Sequence, residues 1–304
     1  MRKVGAYGKV ASQPDFMRIN ASAFAQAGFD RWFADGFETL RAERLTLEPA
    51  PAGFLLAPPA GPVAFVGAFA PAADAAGRAS VLSVFAEIER DGLADRLPAL
   101  PSTYAYFVNA AGAMASSGAT MDAAAIAASV PELESILPDE PLPGDVASGL
   151  NAETVASLIE ALGGGQAALA YAGRTLASAC DQAVKAAAEG RGGSITVDAP
   201  APSPAAQQMW LEIARRRLGP REGISALLWT DGPDGRMLIT LGSPAPAALS
   251  YLANRRHRSN RFWPLRTEVA SAVQEATAAL TAQQRAVTGD PRASLAEVAA
   301  AFSA

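Results

Sequence analysis

The chain has 304 residues, with 25 lysines and arginines against 30 aspartates and glutamates, for a formal net charge of −5. That balance excludes a global basic field for nucleic acid, and a hydrophobic content of 50 % supplies a sizeable core, in one large domain or two modest ones. A single cysteine, Cys180, rules out an intrachain disulfide and fits a reducing cytoplasm, and a single histidine, His257, would leave a zinc site to carboxylates, which structural zinc rarely uses.

Met1-Arg2-Lys3 is basic, but no apolar signal-peptide core follows it. Residues 5–16, Gly-Ala-Tyr-Gly-Lys-Val-Ala-Ser-Gln-Pro-Asp-Phe, begin as a strand, since Val4, Tyr7 and Val10 suit a pleated surface. They then break into a polar turn. Gly8 permits a tight bend, Pro14 fixes φ, and Asp15 is placed to hydrogen-bond the backbone ahead of a helix. A short loop of this kind can bring Lys9 and Asp15 together. It is not a phosphate loop: only two residues separate Gly5 from Gly8-Lys9, and Val10 stands where the magnesium-binding hydroxyl belongs.

Aromatic and leucine residues from Phe24 to Leu40 recur at helical spacing and predict an amphipathic helix over 21–44, its stripe facing the core. Apolar runs at 53–57, 63–69 and 79–88 read as strands, the first two joined as a hairpin around 58–62. Helices are expected over 102–114 and 122–129. The Pro-rich segment 131–145 is the best boundary or surface loop of the first half. Asn151 suits the N-cap of a helix through Leu162, ended by Gly163-Gly164-Gly165. A helix over 166–189 buries Cys180 as a small apolar residue.

A short strand at 194–197 precedes Ser203-Pro204, a helix start with a capping hydroxyl and proline at the first position. That helix ends near Leu218-Gly219-Pro220. Strands at 224–230 and 236–241 form a hairpin over Asp231-Gly232-Pro233-Asp234-Gly235, and a short helix follows over 246–254. The tail reads as one alanine-rich helix over 267–287, then a final helix opened by Asp290-Pro291 and the capping box Ser294-x-x-Glu297. The uncharged stretches 49–73 and 97–121 are broken by prolines and glycines, so neither reads as a membrane span. Interleaved helices and hairpins predict a three-layer α/β/α sandwich around a mixed, partly antiparallel sheet with a C-terminal helical tail. Segment 1–145 supplies the first half of the sheet, 146–258 completes it, and 259–304 is the tail.

His257 lies in Arg255-Arg256-His257-Arg258, and no Gly-x-Ser-x-Gly elbow offers it a nucleophile, so it reads as a surface histidine. The run continues with Arg261, Phe262, Trp263 and Arg266. Basic residues mixed with aromatics bind single-stranded nucleic acid or anchor protein interfaces. In an acidic chain a partner surface at Arg255, Arg256, Arg258, Arg261 and Trp263 is preferred over nucleic acid, with a plain solvated connector as the alternative. Asp74 and Arg78, four residues apart in a turn, can pair with each other or hold a carboxylate or phosphate. No cofactor and no metal site is expected.

Two motifs together carry a family resemblance. The first is Gly5-x-Tyr7-Gly8-Lys9-x-x-Ser12-x-x-Asp15-Phe16, followed by Asp30-x-Trp32. The second is Gly67-x-x-x-Pro71-x-x-Asp74-x-x-Gly77-Arg78. Leu227-Leu228-Trp229-Thr230 and Gly242-Ser243-Pro244 add weaker elements. The pattern resembles the TagF (ImpM) family of type VI secretion accessory proteins over residues 4–253. Ala11, Pro14, Ala72 and Ser80-Val81-Leu82 depart from it, and the tail from Thr267 is extra. The resemblance implies an α/β/α sandwich and a cytoplasmic, non-catalytic regulator, connected with repression of the apparatus, its forkhead-associated scaffold and its kinase/phosphatase pair. It marks Gly5, Tyr7, Gly8, Lys9, Ser12, Asp15, Phe16, Trp32, Gly67, Pro71, Asp74, Gly77, Arg78 and Trp229 as motif positions. A second hypothesis from the residues alone is a small-molecule or phosphate cleft, possibly enzymatic, made by Lys9, Asp15, Asp74 and Arg78.

Overall fold

A computed structural model describes residues 3–139, 145–219, 223–257 and 259–304, with backbone only for 145–148. Nine strands form one sheet among the described residues: β1 (Val4–Gly8), β2 (Met17–Ile19), β3 (Ala52–Leu56), β4 (Val63–Ala73), β5 (Ala79–Glu89), β6 (Ser194–Pro200), β7 (Ile224–Thr230), β8 (Arg236–Gly242) and β9 (Phe262–Pro264). Their order is β2-β1-β5-β4-β3-β7-β8-β6-β9. Every pairing is antiparallel except β6 with β9. The two halves of the chain meet where Phe54 and Leu55 of β3 pair with Leu228 and Leu227 of β7.

The central strands are covered on both faces, and their alternation sorts side chains by type. On one face Phe54, Phe65, Phe69 and Phe85 pack under Phe24 and Phe33 from helices Ser22–Gln26 and Phe29–Glu43. On the other, Leu55, Ala64, Val66, Ala68 and Val84 pack against alanine-rich helices. There Gly112 of helix Ala105–Ser116 comes close to Ala68 and Pro51, an approach that small residues allow. The helices Gly165–Ala188 and Pro204–Leu218 extend this layer. This is the predicted three-layer α/β/α arrangement.

Several local readings change. The opening loop does not lead into a helix. It leads into β2, so residues 9–16 are the loop of a β-hairpin in which Gly8 pairs with Met17. The predicted helix 21–44 is two, broken where Gly28 takes a left-handed φ of 80°. The helix Ala123–Ser135 runs on through Pro131, whose missing N–H falls in the interior of the helix. Part of the expected boundary loop, including Pro141, Pro143 and Gly144, lies outside the described residues. Asn151 belongs to the helix Asp145–Ala152, and Thr154 takes the N-cap position of Val155–Leu162.

Ser203 caps its helix as expected, its hydroxyl accepting from Ala206 N. The tail helix is split into Ala270–Ala278 and Ala282–Gly289. Thr281 and Gln284 form a capping box that restarts the chain, a signal hidden inside the alanine-rich run. The tail packs on its own chain: Val155 N donates to Ala293 O, Leu295 N to Glu153 O, and Phe302 lies against Gly173. Among the described residues no helix is long and apolar enough to cross a membrane.

Candidate functional site

The hairpin loop 9–16 and the turn 74–78 close on each other. Asp74 sits at the end of β4 with its carboxylate fully covered. Its Oδ1 accepts from the backbone N–H of Ala76 at 3.0 Å and of Arg78 at 2.9 Å, which folds the turn around the side chain. Its Oδ2 accepts from Lys9 Nζ and from Arg78 Nε, both at 2.7 Å. The Arg78 guanidinium also donates to Pro14 O at 2.6 Å, and Ala75 N donates to Gln13 O. The two sequence motifs are therefore stitched together through one carboxylate. The Lys9 hydrogen bond pulls the Asp74 carboxyl well below the usual range against the opposing effect of burial, with the Arg78 and Ala76 donors helping.

Tyr7, Lys9 and Phe16 complete the corner. The Phe16 ring stacks on Tyr7 at 5.3 Å and covers the Lys9 ammonium at 5.2 Å, while remaining 37 % exposed. Burial raises the Tyr7 phenol above its ordinary value. Gly8 has a φ of 147°, and a Cβ there would lie 2.1 Å from Val81 O, so the hairpin can enter its loop only at glycine. Gly77 closes the other turn with a left-handed φ of 77°.

The remaining motif positions serve elsewhere. Ser12 accepts from Ala123 N at the start of a helix, at 3.3 Å. Asp15 is exposed and makes no ion pair among the described residues; Lys9 turns to Asp74 instead. Gly5 and Gly67 both pair with Phe85 from opposite sides, and a side chain on Gly67 would strike Val84 O at 2.1 Å. Pro71 lies on β4 past the end of β3, where a strand tolerates proline. Trp32 is buried beside Phe33, and Trp229 lies against Gly53 of the neighbouring strand.

Lys9 and Arg78 are close enough to share one small ligand, as a phosphate cleft requires. Both already donate to Asp74, whose covered carboxylate would repel an incoming anion. Sequence reasoning missed the backbone seat of the loop, Lys9 N to Val81 O and Ala11 N to Gly118 O. No short-range pattern announces such contacts.

The basic run after residue 254 is divided. Arg255 and Arg256 are exposed and line a cleft together with His257 and Arg266. Arg258 lies outside the described residues. Arg261 lines a different cleft with Lys185 and Arg191. Trp263 is half-buried, its indole donating to Asn260 O at 3.0 Å. The connector reading also gives way, because Phe262 and Trp263 pair with Thr196 and Val197 as β9. The His257 ring packs 4.8 Å from Tyr251, with Nδ1 3.9 Å from Glu43. Burial pushes the Cys180 thiol up to about 12, with Asp181 adding to the effect. Among the described residues no group of histidine, cysteine or carboxylate side chains could hold a metal ion.

Residues 5–133 match the TagF N-terminal domain, type VI secretion system-associated. The structure is similar to the crystal structure of PA0076 from Pseudomonas aeruginosa PAO1, at 17 % identity over 84 % of this chain and 96 % of that one, with a TM-score of 0.48. A search of the curated proteins finds no match. Both motifs of the corner lie inside the matched span, so the residues that carry the resemblance to the TagF family are those that the match to its N-terminal domain covers.

Proposed function

We propose that the chain is a non-catalytic accessory protein of a type VI secretion apparatus, acting in the cytoplasm as a post-translational repressor. It works by binding the apparatus's forkhead-associated scaffold, in the circuit of the kinase/phosphatase pair. The observation that carries this reading is the match to the TagF N-terminal domain over residues 5–133, with its two motifs locked into one corner. A binding role suits the chemistry at hand. Lys9 and Arg78 are committed to Asp74, and the Cys180 thiol is buried with its pKa raised. The one histidine is held against an aromatic ring. What the corner offers a partner is shape: a rigid loop presenting Ser12, Asp15 and Phe16.

The test is affinity capture of the tagged full chain from its own cells after crosslinking, beside a variant carrying Asp15→Ala and Phe16→Ala. The scaffold is expected with the parent chain and depleted with the variant. Repeated captures that hold no type VI component would overturn the reading.

A further inference from the structure

The cleft at the β6–β9 end of the sheet holds more positive than negative side chains among the described residues. Arg236 and Asp198, on its floor, satisfy each other through two hydrogen bonds, Nε to Oδ1 at 2.9 Å and Nη2 to Oδ2 at 2.6 Å. Arg236 also donates to the carbonyls of Tyr251 and Leu252. Among the described residues the Asp198 carboxylate accepts from no arginine other than Arg236. The next arginine is Arg266, half-buried on the same wall. Its Nε is fully covered and finds no acceptor among the described residues. Burial lowers its pKa, and Arg255 and Arg236 act in the same direction against Asp198 and Asp234. An arginine cannot shed its proton to escape such a place.

Arg255 and Arg256 stand at the rim; among the described residues the Arg255 guanidinium donates to the neutral carbonyl of Asp234, and the Arg256 guanidinium has no hydrogen-bond partner. Glu268, the remaining carboxylate of the lining, is exposed. Among the described lining residues four arginines thus face two carboxylates, one of which is paired with Arg236.

We propose that this cleft binds a phosphoryl-type oxyanion, with Arg266 as the inner donor and Arg255 and Arg256 as the outer ones. A covered guanidinium N–H lacking an acceptor is a costly arrangement that a dianion would relieve, and the planar fork of arginine matches phosphate oxygens two at a time. Several such forks on one cleft also favour a doubly charged group over a single carboxylate. The site is separate from the Asp74 corner. From β5 to β6 there are five strand spacings, about 24 Å at roughly 4.8 Å each. The inference does not depend on the secretion reading.

Calorimetric titration of the full chain with inorganic phosphate at low salt tests it, together with a phosphothreonine peptide and its unphosphorylated twin. Saturable phosphate binding is expected, weakened about tenfold or more in Arg266→Met and unchanged in Arg261→Met. A phosphopeptide that binds about tenfold better than free phosphate assigns the anion to a partner's modified side chain; equal affinities assign it to the free ion. Arg266 makes no hydrogen bond among the described residues, so Arg266→Met should fold. In thermal melts without phosphate it should be at least as stable as the parent, and phosphate should raise the parent's Tm more than the variant's. No saturable binding by either probe, or binding lost in Arg261→Met and kept in Arg266→Met, overturns the assignment.

Discussion

Asp74 accepts four hydrogen bonds, and two come from cations that would otherwise sit next to each other. Replacing it removes the hub and leaves Lys9 covered without an anion. Asp74→Asn should therefore melt well below the parent at neutral pH, and below Lys9→Met, in which Arg78 and two backbone N–H groups still hold the carboxylate. The folded-state pKa of Asp74 lies below its unfolded value near 4. Its contribution is thus fully present above about pH 4 and is lost as the pH falls through the folded value. Melting curves of parent and Asp74→Asn from pH 7 down to pH 2 should converge progressively below about pH 4. A gap independent of pH would show that the carboxylate's charge is not what holds the corner.

Gly67→Ala tests the neighbouring packing. Its Cβ would fall 2.1 Å from a backbone oxygen, so a loss of about 1–3 kcal/mol is expected in chemical denaturation. The motif residues were readable one by one, but the partner of Lys9 was not. Nearness in sequence pointed to Asp15, while the real carboxylate is 65 positions away and only the sheet order brings it in.

At the scale of elements, signals written in a few adjacent residues survived folding. Ser203-Pro204 and Ser294-x-x-Glu297 start helices where they should. The hairpin over 231–235 also forms. Elements whose only support is tertiary were silent. β2 and β9 each have three residues, too few to show a period, and each exists because a longer strand beside it offers unpaired backbone groups. The opposite failure is the tail, where alanine suits a helix so well that the break at Thr281 goes unnoticed. Thr281 carries both halves of that restart, accepting from Gln284 N while Gln284 Oε1 accepts from Thr281 N. Thr281→Ala should cost about 1 kcal/mol. Hydrogen exchange should quicken in the helix Ala282–Gly289 more than in Ala270–Ala278. Equal changes in both helices would mean that they behave as one unit.

For the whole molecule, three layers followed from interleaved helices and hairpins, but the strand order did not. Nothing near Phe54 or Leu228 in sequence says that the two halves pair there. That seam makes both halves share two cores, one aromatic and one aliphatic. Denaturant unfolding should therefore be one transition. Single-tryptophan variants retaining Trp32 on the aromatic side or Trp229 on the aliphatic side should report the same midpoint as far-UV circular dichroism. Separated midpoints would mean that the seam is weaker than the cores it joins. The two outer strands have a consequence for assembly. A sheet this wide could grow by accepting a strand from another molecule, yet β2 offers three residues and β9 ends in a proline. Such borders give an incoming chain little ladder to extend, which guards against edge-to-edge stacking. Recognition is thereby left to side chains, so a partner would be selected by the chemistry of loops and clefts and not by backbone pairing.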